Sequence, residues 1–196
     1  SNTHGYIGAS PTQLVTNTGV HSVSDALELT SIGHWGGSLE LIEEQTISSS
    51  VSSIAFTSIK ESKYDVHLLQ IDNLQRDTNG TTLLQFSNNG GSSFVTSSYQ
   101  NADVRNQSNA SYQEDRSTSS TSITLTNTAG ASTNESVNMY CYLYNLGNSS
   151  KYSFVTLQGS YLITSTYATT FGGGVYSVAE TINAFQILAS TSVNYD

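Results

Sequence analysis

The sequence predicts an all-β protein, a sandwich or barrel of short strands preceded by an N-terminal arm, and three observations lead there. Ser, Thr, Asn and Gly dominate a chain in which only 11% of residues are charged, and these residue types favour strands and turns over helices. From Thr46 onward, short runs of alternating apolar residues recur between clusters of Asn, Gly and Ser, the spacing of a sandwich or barrel. Residues 1–45 differ: they hold the only Pro, Pro11, the only Trp, Trp35, and three of the four His, with little alternation. A chain of 196 residues is long enough for one substantial core and an extension. The reading is therefore an arm over residues 1–45 and a β domain over residues 46–196.

Within the arm, a Ser-x-x-Asp pattern at Ser22 and Asp25, an i,i+4 pair in Val23 and Leu27, and a stop at Gly33 predict one short helix. So short a helix does not persist alone in water. The arm is thus expected to act as an anchor, with Val23, Leu27 and Trp35 among its contact residues. Strands are predicted in order over Ile47–Ile59 (broken near Ser52 and Ser53), Tyr64–Asp72, Thr82–Ser87, Ser93–Ser98, Ser122–Thr126, Val137–Tyr144, Tyr152–Thr164, Tyr167–Phe171 and Thr181–Ser190. The run Asn88-Asn89-Gly90-Gly91 tolerates positive φ and predicts a tight hairpin joining Thr82–Ser87 to Ser93–Ser98. Residues Gln100–Ser120 carry almost no large apolar groups and read as a long polar connection or exposed loop. Gly172-Gly173-Gly174 predicts a sharp bend or a close backbone approach.

Charge and motifs exclude several kinds of chemistry. The net charge is -9, and the six Lys and Arg are scattered singly, so no basic stripe exists to neutralise phosphates and no nucleic-acid partner is expected. Cys141 is alone, which rules out an intrachain disulfide and a cysteine zinc site within one chain, and it reads as a small core hydrophobe. No run approaches the roughly 20 apolar residues of a membrane span, so no membrane insertion is expected. Nucleophile-elbow, zinc-helix, phosphate-loop and Cys-x-x-Cys patterns do not occur. Glu40, Glu43 and Glu44 are neighbours on one segment and do not supply two carboxylates facing across the ~5–10 Å of a glycosidase cleft. His67, between Val66 and Leu68, reads as a hydrogen-bonded structural histidine rather than a base. The prediction is a protein that is not an enzyme and carries no catalytic residue, no metal and no cofactor.

One strand raises the question of partners. In Asn138–Asn145 the alternation puts Met139, Cys141 and Leu143 on one face and Tyr140, Tyr142 and Tyr144 on the other. Three rings with hydrogen-bonding tips suit burial under the arm or a second subunit. They also suit a platform on which sugar rings stack. Burial is the preferred reading, and the glycan platform is the alternative.

Three stretches carry a resemblance. Ser53–Ile59 followed by Tyr64–Leu74, and then the hairpin Leu84–Phe94 with Ser87-Asn88-Asn89-Gly90-Gly91-Ser92-Ser93-Phe94 at its centre, resemble a β-sandwich domain of virion proteins from tailed bacteriophages, especially marine ones. The arm segment Thr18–Thr30, with Gly33-His34-Trp35 after it, is similar to a lead-in of the same class. The resemblance implies a jelly-roll-like antiparallel β-sandwich and a location in the virion, as a tail-fibre or head-surface component. It implies other virion proteins as partners, a homo-oligomer that is trimeric by preference, and host-surface glycan as a further partner; it transfers no catalytic residue. The sequence departs from the family at its end, where Ser190–Asp196 stands in place of a full closing strand. That predicts either a short last strand or an edge completed by a neighbour. A free-standing carbohydrate-binding module is the rival reading, and a small hydrolase the weakest.

Overall fold

The computed structural model describes residues 23–24, 39–190 and 192–196. The chain divides into two compact units, Ser1–Ile42 and Glu43–Asp196. The second is all-β, with no helix among its described residues. Its ten strands are β1 (Ser53–Phe56), β2 (Val66–Leu74), β3 (Gly80–Ser87), β4 (Tyr99–Gln107), β5 (Tyr112–Ser120), β6 (Ile123–Ala129), β7 (Val137–Tyr144), β8 (Ser153–Ile163), β9 (Thr166–Tyr176) and β10 (Ala184–Ala189). They form a four-stranded sheet in the order β1-β10-β3-β6 and a six-stranded sheet in the order β2-β7-β8-β9-β4-β5. Every pairing is antiparallel.

This order is that of a jelly roll with one strand tripled. An eight-stranded jelly roll, built from two Greek keys, orders its sheets first-eighth-third-sixth and second-seventh-fourth-fifth. The present order is the same when the meander β7-β8-β9 is counted as a single strand. The replacement works because three antiparallel strands leave in the direction they entered. β7 can therefore pair antiparallel with β2 while β9 pairs antiparallel with β4, as one strand between them would. The turn from β8 to β9 has two residues, Thr164 and Ser165, both at positive φ (45° and 71°), as a primed hairpin turn requires. Neither is a glycine; the Glu135 carboxylate accepts the Ser165 N–H at 2.9 Å and the Ser132 N–H at 3.0 Å, and so ties the turn to a neighbouring loop.

The sheets bury their alternating inner residues against each other. Leu84, Phe86, Ile123, Leu125, Phe185 and Ile187 come from the four-stranded sheet; Leu69, Ile71, Met139, Cys141, Leu143, Val155 and Leu157 come from the six-stranded one. Cys141 is fully buried, and burial pushes its thiol up to about 12, so it packs as an inert hydrophobe.

Two local expectations are revised, and two that left alternatives open are decided. Gly90 and Gly91 do take positive φ, 71° and 84°, but Ser93–Ser98 is not a strand. Its place beside β3 is taken by single bonds: the Phe86 carbonyl accepts Val95 N–H at 2.8 Å, and the Phe86 N–H donates to the Tyr99 hydroxyl at 2.8 Å. Residues Gln100–Ser120 are not a loop but most of the β4–β5 hairpin. They lack large apolar groups because β4 turns Asn101, Asp103 and Arg105 inward and β5 is an edge strand. Gly172–Gly174 lie inside β9 rather than at a bend, and a Cβ on Gly173 would overlap the Val155 carbonyl oxygen, so close backbone approach is what these residues allow. Ser190–Asp196 leaves a very short last strand: Tyr195, fully buried, bridges Val51 on one side and Arg76 on the other.

Candidate functional site

Strand β7 alternates buried and exposed as its sequence predicts, with Val137, Met139, Cys141 and Leu143 inward and Tyr140 and Tyr142 still 43% and 37% exposed. The three tyrosines form one row. Tyr140 and Tyr142 meet edge to face with ring centres 6.1 Å apart, and Tyr142 and Tyr144 lie 6.3 Å apart at 31°. Two hydroxyls are held by β8: Tyr140 donates to Gln158 Oε1 at 2.7 Å, and the Tyr144 hydroxyl sits 3.2 Å from Thr156 Oγ1. These bonds fix the ring tips and leave ring surface open.

Register extends the row into a face. Leu68 stands opposite Tyr142, and Val66 opposite Tyr144. On the other side Phe154 stands opposite Tyr144, and Gln158 joins Tyr140 to Phe171 on β9. Phe171 in turn faces Val104 on β4, and Val104 faces Glu114 on β5. Tyr112 and Tyr167 add to the same face near the β4–β5 turn. Between Phe171, Ala102, Val104, Glu114 and Arg116 lies a shallow depression of about 340 Å³ beside Gly172, where β9 has no side chain to fill it. Glu114 and Arg116 pair with each other at 3.1 Å, and Asp103 and Asp115 also line the depression.

Of the residues singled out in the sequence, the structure brings Tyr140, Tyr142 and Tyr144 together. Val23 is helical and 80% exposed. Leu27 and Trp35 lie outside the described residues. The sequence reading missed Val66, Leu68, Phe154 and Phe171, and two of these left a signal: Leu68-Leu69 and Phe154-Val155 set apolar residues side by side, which in a strand means both faces are apolar.

His67 points inward, its Nε2 lies 2.7 Å from the Ile59 carbonyl oxygen, and burial lowers its pKa. Among the described residues, no group of three or more His, Cys, Asp or Glu is placed to hold a metal, and no helix is long and apolar enough to cross a membrane. No protein-family model, curated protein or solved structure matches the chain.

Proposed function

We propose that this chain is a non-catalytic structural protein of a tailed-bacteriophage virion, in the tail fibre or on the head surface, that binds protein through the outer face of its six-stranded sheet. The observation that carries the reading is one-sidedness. Within Glu43–Asp196, every exposed large apolar residue lies on or directly beside that one sheet: Val66, Leu68, Tyr112, Tyr140, Tyr142, Tyr152, Phe154, Tyr167 and Phe171. Exposed apolar side chains gathered on one face in this way mark an interaction surface rather than free protein surface. The virion assignment rests on the resemblance carried by Ser53–Leu74 and Leu84–Phe94, and the jelly-roll strand order agrees with the fold that the resemblance implies. Mass spectrometry of purified particles of the phage that encodes the chain should find it in stoichiometric amount. Particles that lack it would overturn the assignment.

One observation favours a second reading, a carbohydrate-binding module or a virion protein that grips host-surface glycan. The hydroxyl bonds of Tyr140 and Tyr144 hold the rings with open faces, and the amide of Gln158 lies beside them, a combination on which a sugar ring can stack and hydrogen-bond. A glycan array separates the readings: sugar binding lost on Tyr142→Ser, with the oligomer intact, would support the second.

A further inference from the structure

We infer that the occupant of the six-stranded face is a second copy of this chain, which stacks its own six-stranded sheet on the first. The inference rests on the protein-binding reading above and names the partner.

Three features of the face carry it. The first is area. The exposed apolar side chains on it are 36–58% open; with each offering ~200 Å² when fully exposed, they leave on the order of 800 Å² to cover, which is what each partner contributes to a stable interface of standard size, about 800 Å². The second is charge. The chain carries -9 overall, so most pairs of surfaces on two copies would repel. The rows from Val66 and Leu68 through Tyr142 and Tyr144 to Phe154 carry no charged side chain, and Glu114 is neutralised by Arg116 at the β5 end, so two copies can meet on those rows with little acidic repulsion; Asp72 stands exposed beyond them near the end of β2. The third is shape. Ladders run unbroken from β7 through β8 and β9 to β4, giving a smooth twisted sheet. A sheet of the same twist stacks on such a surface at about 30°, as the two layers of a sandwich do. The Gly172 depression beside Phe171 is then a socket for one large side chain from the facing copy.

Sedimentation velocity of the full chain at micromolar concentration is the test. The expected result is a mass of at least twice the 21.0 kDa of one chain. Tyr142→Arg and Phe154→Arg should each weaken association by at least about tenfold, as loss of a central apolar anchor does. Ala55→Arg, exposed on the other sheet, should leave it unchanged. Circular dichroism and a melting curve on each variant separate dissociation from misfolding. A wild-type chain that is monomeric under these conditions, or association lost on Ala55→Arg and kept on Tyr142→Arg, overturns the inference. A monomeric chain whose incorporation into particles is nevertheless abolished by Tyr142→Arg would overturn self-stacking while leaving the protein-binding face in place; a monomeric chain whose incorporation is indifferent to that change would overturn both.

Discussion

Neighbouring residues on β7 do different work, and the difference is measurable. Leu143 is fully buried and Tyr142 is 37% exposed, although they are adjacent. Leu143→Ala should cost about 2–5 kcal/mol of fold stability through lost burial and the cavity left behind. Tyr142→Ser should cost the isolated chain well under half of that, and act on association instead; chemical denaturation of both variants in dilute solution checks the contrast. A second residue-scale prediction concerns Asp103. Burial first, and then the facing Asp115, raise its pKa from 3.8 to about 6, with Arg105 partly offsetting the rise. The folded state therefore holds a proton that the unfolded state has released between those values, so this group's contribution to stability falls as pH rises from about 4 to 6 and stays low above that. His67, lowered by burial, works the other way, losing stability as pH drops below about 6.5. Asp103→Asn removes only the first effect. Relative to wild type it should gain about 2–3 kcal/mol on going from pH 4 to pH 7, and an unchanged difference across that range would contradict the assignment.

At the scale of elements, legibility followed the inner face of each strand. β7 was readable residue by residue because its inner face is apolar and its strand is central. β4 was not, since it turns Asn101, Asp103 and Arg105 inward and so shows no period-two apolar signal. β5 was not, because an exposed edge strand carries Glu114, Asp115 and Arg116, charges of the kind that keep edges from pairing. Ser93–Ser98 differs the other way: it has the composition of a strand, but one tyrosine hydroxyl and one amide satisfy Phe86, past the end of the β3–β6 pairing, without it. The glycines of β9 were legible as close approach or bend, and packing decided for approach. Gly173→Ala places a methyl group against the Val155 carbonyl, in a central strand whose backbone cannot retreat. The expected loss is about 1–3 kcal/mol, the range for overpacking. Thermal melts would show it, and a variant as stable as wild type would mean that β8 and β9 can separate locally.

For Glu43–Asp196 as a whole, the all-β class was legible in the residues themselves, and the jelly-roll topology only through the resemblance. Periodicity and turn composition predict a sandwich or barrel of short strands. They do not say that three consecutive strands occupy one jelly-roll slot, because that depends on which strands pair across more than 60 residues, as β2 does with β7. The same gap hid most of the candidate site. The tyrosine row could be read from one strand, but the face it belongs to is assembled by register from β2, β7, β8, β9, β4 and β5. Protein should cover this face when the molecule is at work. Hydroxyl-radical footprinting tests that claim most directly, comparing Tyr140, Tyr142 and Phe154 in the free chain and in the assembled particle. All three should be strongly protected on assembly, with the partly exposed Ile54 on the other sheet as the reference for general shielding. Equal labelling of the three residues in both states would contradict it.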